Sequence, residues 1–254
     1  MSVRSQFVER PELAHWEARV DLAAVLRWTA RLGMHEAVAN HFSLAVNPEG
    51  TRFLINPNQM HFARIRASDL LELDAHDKET LSRPGAPDAT AWGLHGSLHR
   101  RCRHARCVMH LHPPFATVLA SLEDSILPPI DLNTATFFNR MIVDTALAGL
   151  AFEAEGERCA AMLTDPRIRI MVMGNHGVLA IGDSVADTFN RLYYFERAAQ
   201  TYIRALQTGK PLRRMSAEIA EKVARDLERY PGQAESHIAE IKSLLDEEGS
   251  NYAS

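Results

Sequence analysis

Apolar residues recur at helical spacing from Pro11 to Leu32, with Leu22, Val25, Leu26 and Leu32 on one stripe and Gly33 placed to stop the helix. The pattern then changes. His35 to Val46 reads as irregular and then extended. Asn47-Pro48-Glu49-Gly50 is a turn signal, and Thr51 to Ile55 is a short strand, which together predict a hairpin. Ser68 to Leu73 is mixed, with a third strand expected near Leu70. Asp88 to Arg101 returns to helical spacing, with Ala91, Leu94, Leu98 and Cys102 on one face. Cys107 to Leu111 is an apolar run closed by Pro113-Pro114 and reads as a strand; a short helix follows to Leu122. Ile168 to Met173 and Val178 to Ile181 read as strands joined by a turn at Gly174–Gly177.

The longest helical stripe runs from Ser184 to Leu206. Ser184 with Asp187 three residues on is a capping signal, and Gly209 and Pro211 end the helix. Ser216–Arg229 and Ala234–Glu247 add two helices. Helices and strands mix without strict alternation, so a layered α/β or α+β sheet is expected. Without a repeat or a Gly/Ser-rich linker, the chain reads as a single domain over 1–254, its core over about 12–208 and a helical C-terminal extension over 209–254.

Composition narrows the function classes. The chain has 254 residues, 46% hydrophobic and 24% charged, with net charge -4. Nucleic-acid binders carry a strong basic excess, so no nucleic-acid partner is expected. The one basic cluster, Arg100, Arg101, Arg103 and Arg106, reads as a solvated helix end, with contact to an anionic substrate or an acidic neighbour as the alternative. No apolar run approaches the ~20 residues of a membrane span. Met1–Pro11 lacks the apolar stretch of a signal peptide. The odd cysteines Cys102, Cys107 and Cys159 read as thiols in a reducing compartment, so cytoplasm is expected.

The candidate chemistry lies in the histidines. His110 and His112, at i and i+2 near a strand end, project from one face and can meet one cation; alone, such a pair is also read as two polar residues on a solvated face. His176, in Gly174-Asn175-His176-Gly177, sits in a turn whose glycines are expected to allow positive φ and to let the backbone approach closely; alone, it is equally read as a turn histidine bonded to its own backbone. Three histidines with an open fourth position make a catalytic rather than a structural zinc pattern, and neutral imidazoles also suit Mn, Fe or Co.

Four segments resemble the class II aldolase/adducin family: Asn40-His41-Phe42-Ser43, Phe53-Leu54-Ile55-Asn56-Pro57, Leu94-His95 through Val108-Met109-His110-Leu111-His112-Pro113, and Gly174-Asn175-His176-Gly177-Val178-Leu179. The match runs from about Val20 to Leu206, and the tail resembles bacterial adducin-like members. The resemblance implies a three-layer α/β/α fold around a mixed sheet and a homotetramer with sites near subunit interfaces. It implies a small-molecule substrate and a divalent metal, zinc first, on His110, His112 and His176, stabilising an enediolate or similar oxyanion.

Two departures matter. The aldolases carry a glutamate where this chain has Ala91. The family's phosphate-cradling loops read here as Ala39-Asn40, Asn56-Pro57-Asn58-Gln59 and Ala89-Thr90. A phosphorylated sugar is therefore not the expected substrate. The resemblance leaves Asn40, Asn56 and Thr90 as substrate-binding candidates and His41, in the first loop, as the replacement acid/base. For His41 and Asn40 the plainer reading is local hydrogen bonding in a loop. His95 and His99 read as satisfied, semi-buried helix residues, and His15, His61, His76, His104 and His237 as surface or packing residues. Tyr230 is a candidate to reach a neighbouring subunit, and Asp131 and Asn133 to line the pocket. The expected activity is metal-dependent carbon–carbon cleavage, aldol-type or decarboxylating. The alternatives are a non-catalytic adducin-like assembly module, since adducin heads use the scaffold structurally, and an Fe-dependent oxygenase.

Overall fold

The computed structural model describes residues 13–146 and 152–254, with the backbone alone at residue 152. In chain order the regular elements are α1 (Trp16–Arg31), β1 (His41–Ala45), β2 (Arg52–Ile55), β3 (Leu71–Asp74), α2 (Ala89–Arg101), β4 (Cys107–Leu111), α3 (Pro114–Ala120), α4 (Leu132–Thr136), β5 (Met141–Asp144), α5 (Phe152–Met162), β6 (Ile170–Met173), β7 (Gly177–Gly182), α6 (Val185–Gln207), α7 (Ala217–Glu228) and α8 (Gln233–Glu247). The expected start of the first helix at Pro11, and the leader reading of Met1–Pro11, lie outside the described residues. The third strand begins at Leu71, because Ala67–Asp69 first makes a 3-10 turn. Of the described elements, β5, α4 and α5 had no counterpart in the sequence reading.

Seven strands form one mixed sheet in the order β3-β2-β1-β4-β7-β6-β5, with only β5 and β6 parallel. Alternation along the strands divides the core into layers. Phe42, Leu54, Cys107, Met109, Leu111, Ile170, Val172, Val178 and Ala180 face α1, α3, α6 and α8. Val108, Met171, Met173, Leu179 and Ile181 face α2 and α5. The result is a three-layer α/β/α sandwich. On β1, Phe42 belongs to the first layer, so His41 and Ser43 point to the other, toward α2.

The C-terminal segment is built into the first layer. Ile238, Ile241 and Leu245 of α8 and the fully buried Tyr252 join its core. The carbonyls of Tyr252 and Ser254 accept from the backbone N–H groups of Ala67 and Ser68. Arg140, 3% exposed, ties α7 down through Glu221 and Glu228. The basic cluster is largely committed: Arg100 and Arg101 face Glu153 and Glu157 of α5, and Arg106 donates to the carbonyls of Ala45 and Asn47. All three cysteines are buried free thiols, and burial pushes Cys102 up to about 11 and Cys107 and Cys159 up to about 12. Among the described residues no helix is long and apolar enough to cross a membrane.

The α2–α5 contact depends on Gly156. A Cβ there would lie 2.5 Å from the Gly93 carbonyl oxygen and 2.9 Å from Leu94 Cα, both backbone atoms of α2. Backbone cannot swing aside as a side-chain tip can. Gly156→Ala is therefore expected to destabilise the fold by about 1–3 kcal/mol, the usual cost of overpacking. A urea titration measures it, and an unchanged midpoint would mean that α5 separates from α2 at no cost.

Candidate metal centre

The pleat of β4 sends Val108 and His110 toward the α2 layer. His112, just beyond the strand, follows the same alternation. The cross-strand partner of His110 is His41, and their ring centroids lie 5.0 Å apart. His41 is thus the first residue of β1 rather than a loop residue as expected; pairing with β4 extends the strand back to it. His176 arrives from the β6–β7 turn, with its centroid 4.7 Å from His110 and 4.8 Å from His112. One ligand nitrogen from each of His110, His112 and His176 falls within 4.8 Å of the others.

The turn meets the expectation of close approach but not that of positive φ at its glycines. The left-handed residue is Asn175, at φ 57, and neither Gly174 nor Gly177 has a positive φ. The glycines matter by close approach. A Cβ on Gly177 would stand 2.5 Å from His112 Cδ2 and 2.6 Å from the Leu111 carbonyl oxygen, and one on Gly174 would stand 3.1 Å from the Asp144 carbonyl oxygen.

Two acceptors set the ring tautomers. The Val178 carbonyl, 3.2 Å from His110 Nδ1, accepts only, so that nitrogen carries the hydrogen. The Glu36 carboxylate does the same for His112 Nδ1 at 2.5 Å. In the neutral rings both Nε2 atoms are then bare, and they face each other at 3.3 Å. His176 adds a buried Nδ1 without a partner among the described residues. Facing lone pairs are costly in a partly buried site, and a cation between them relieves the cost. The residues therefore fit a divalent ion. Burial, reinforced by the neighbouring imidazoles, holds His110 well below the ordinary histidine value. His176 is lowered by burial and by His112, against Asp144 and Glu36.

The three histidines open onto a pocket of about 210 Å³ whose wall includes Asn40, His41, Thr90, Leu94 and Glu155. Asn40 has a positive φ of 75, which Asn tolerates. Its Oδ1 accepts from the Glu36 N–H at 2.8 Å, while its buried Nδ2 has no partner among the described residues. Thr90 also lines the pocket, but its hydroxyl and N–H both donate to Asp88, the cap of α2. Asn56 stands behind the wall rather than in it: its Oδ1 accepts from Phe42 N–H at 2.8 Å and its Nδ2 donates to the Asn40 carbonyl at 3.3 Å. Ala91 is buried against Phe53 and Ile55. Asp131 caps α4 through Thr134, and Tyr230 is 65% exposed.

His41 is buried, and burial lowers it to about 4, with Asp88 opposing. Its Nδ1 lies 2.7 Å from His95 Nε2. The other nitrogen of His95 meets the Ser43 hydroxyl, which lies 2.7 Å from His99 Nε2; His99 Nδ1 lies 2.7 Å from the Ala105 carbonyl. His95 and His99 are thus satisfied as expected, but wholly buried.

Two carboxylates here escaped the sequence reading. Glu36 comes from an irregular segment 76 residues from its histidine, and no local pattern announces it. Glu155 lies in an acidic run that reads as a solvated face. In the fold it is 8% exposed, and burial raises its carboxyl, with Arg158 opposing and Asp144 reinforcing. Glu196, buried in α6, accepts from the N–H groups of Phe115 and Ala116 and pins the chain just after His112; burial pushes it up to about 7.

The family model described as Class II Aldolase and Adducin N-terminal domain matches residues 20–203. A protein of Pseudomonas aeruginosa named "Putative aldolase class 2 protein" is 29% identical over 81% of this chain and 78% of its own length. Human beta-adducin is 25% identical over 75% of this chain, which corresponds to 26% of that protein. The crystal structure of an aldolase II superfamily protein from Pseudomonas syringae superposes with a TM-score of 0.83 at 27% identity, covering 96% of this chain and 99% of that one.

Proposed function

We propose that this chain, which belongs to the class II aldolase and adducin family, is a divalent-metal-dependent carbon–carbon lyase acting on a small, unphosphorylated hydroxy-carbonyl or hydroxy-carboxylate compound. The observation that carries the reading is the facing pair of bare Nε2 atoms on His110 and His112, with His176 beside them. These three residues would hold the ion, zinc first by the donor set, with Mn, Fe or Co also compatible. Bound there, it supplies an electrophile for a carbonyl oxygen and for the negative charge that develops in carbon–carbon cleavage.

The protein's own groups divide the remaining work. Asn40, its Oδ1 held by Glu36, turns a free amide donor toward a substrate oxygen. In an aldol-type cleavage His41 takes the substrate hydroxyl proton and returns it to the carbanion; in a decarboxylation carbon dioxide leaves from the carboxylate and His41 passes a proton from water to the carbanion. Glu155, its carboxyl raised by burial, is a second acid/base group in the wall. The absence of phosphate follows from spent donors: Thr90 gives its hydrogens to Asp88, and Asn56 braces the backbone. The pocket is also smaller than the ~300–1,000 Å³ usual for drug-sized ligands. A homotetramer working in the cytoplasm belongs to the same proposal.

The test is a cleavage screen of the metal-loaded chain against hydroxy-carbonyl and hydroxy-carboxylate compounds, each with its phosphorylated counterpart. Release of aldehyde or carbon dioxide from the unphosphorylated set is expected. No cleavage with Zn²⁺, Mn²⁺, Fe²⁺ or Co²⁺ would favour the adducin-like assembly module instead.

Glu36 supports the ligand His112 through its Nδ1–H. Removing such a partner usually costs about 10–100-fold in metal affinity. Glu36→Gln is expected to fall in that range by competition with a chromophoric chelator, with the fold unchanged. Undiminished affinity would show that the carboxylate does not orient His112.

A further inference from the structure

A row of buried polar groups leads away from the pocket: His41 and Ser43 on β1, and His95 and His99 one turn apart on α2. Its far end decides its direction. The Ala105 carbonyl can only accept, so His99 Nδ1, 2.7 Å away, carries the hydrogen. His99 is buried, has no acidic partner among the described residues and is neutral, so its Nε2 is bare and accepts from the Ser43 hydroxyl at 2.7 Å. Ser43 has one hydrogen, now committed, and its oxygen accepts from His95 Nδ1–H. His95, 0% exposed, is likewise neutral. Its Nε2 accepts from His41 Nδ1–H at 2.7 Å. One bare nitrogen is left, His41 Nε2, on a ring that lines the pocket beside His110, His112 and His176.

We infer that the row His95–Ser43–His99, ended by the Ala105 carbonyl, sets the tautomer of His41 so that a lone pair, not an N–H, faces the pocket. Every alternative direction leaves two hydrogens in one contact or none, in a region that water does not reach. The fold holds the row rigidly. The strand pleat puts His41 and Ser43 on the α2 side, helical spacing puts His95 and His99 on one face, and Gly50 presses the β1–β2 turn onto α2 (a Cβ there would lie 2.0 Å from the His99 carbonyl oxygen).

The row is not a conduit to solvent, because a carbonyl terminates it. A proton taken up at His41 Nε2 leaves by the same atom, back to the substrate. His95, Ser43 and His99 are therefore positioning residues, with a neutral row in the place where a carboxylate orients the base in other catalytic sets. The catalytic consequence rests on the reading of His41 as acid/base; the tautomer does not.

Nitrogen-15 NMR of histidine-labelled full-length protein, chelated and zinc-loaded, reads the tautomer directly. The His41 signals are identified by their loss in His41→Gln. A protonated Nδ1 and a bare Nε2 are expected for His41. Ser43→Ala, which frees His95 to reverse, is expected to convert His41 partly or wholly to the Nε2–H form and to lower kcat about 10–100-fold, part of what acid–base catalysis supplies, with KM and metal content held. Ser43→Thr restores both. A wild-type His41 carrying Nε2–H overturns the inference, even if Ser43→Ala fails to fold. So does a folded Ser43→Ala with an unchanged tautomer. Expected tautomers together with an unchanged kcat in His41→Gln would uphold the row and overturn the acid/base role of His41 alone.

Discussion

Purified protein is expected to carry about one divalent ion per chain, as a single three-histidine site requires, and His176→Ala to lose it together with all cleavage activity while the fold survives. His176 is the ligand to remove because it lies in a turn and is only partly buried. His110, by contrast, is 4% exposed and bonded to Val178. Its loss would open the core as well as the site. Binding to the folded state alone adds stability by mass action, about 2.7 kcal/mol at a hundredfold excess over Kd. In a domain of this size that corresponds to a thermal shift of about 5–10 °C. Elemental analysis and melting with and without zinc measure the two effects. Wild type should show both, and His176→Ala neither. A metal-free wild type that also refuses Zn²⁺, Mn²⁺ and Fe²⁺ would leave the assembly module as the better reading, since a bare imidazole pair would then be tolerated without a cation.

What could be read beforehand was whatever local periodicity controls. The i, i+2 spacing of His110 and His112 places both on one side of β4 in any sheet that contains that strand, and an apolar run on each side of residues 174–177 requires a turn. Elements held by neighbours rather than by their own pattern were invisible. β5 has four residues, too few to display a period. α5 packs on α2 through Gly156, Cys159 and Ala160, small residues beneath an acidic stretch that resembles a solvated face. The roles of His95 and His99 were hidden for another reason. Beside Leu94 and Leu98 they look like core histidines, and only the register of β1 shows that Ser43 stands between them. The same register turned His41 from a loop residue into a strand residue paired with His110. At the third-ligand turn the flanking glycines point both to conformational freedom and to close approach, and it is the closeness to His112 that demands Gly177.

Those buried histidines should make the metal-free protein acid-sensitive well above the carboxylate range. Burial lowers His41 and His99 from 6.5 to about 4, and burial with neighbouring imidazoles holds His95 and His110 well below the ordinary histidine value. A depressed histidine binds its proton more weakly in the fold than in the unfolded chain. The stability it permits is complete above about pH 6.5 and is lost as pH falls toward 4. At ~1.36 kcal/mol per pH step below 6.5, His41 and His99 each give up about 2 kcal/mol by pH 5, and His95 and His110 act in the same direction. Glu196 acts with the opposite sign. Raised from 4.5 to about 7, it binds a proton more tightly in the fold and returns about 2 kcal/mol over the same descent. His41 and His99 together outweigh it, and His95 and His110 add to the loss, so from pH 7 to pH 5 stability falls by at least about 2 kcal/mol, a large share of the stability of a marginal domain. Urea unfolding of chelated protein at pH 7, 6 and 5 should show the midpoint falling steeply. Zinc-loaded protein should lose more over the same range, because the ligands must shed the ion to accept protons. A midpoint that stays level or rises on acidification would mean that the row from His41 to Ala105 accepts charge without cost, and would remove the physical ground for treating these rings as neutral.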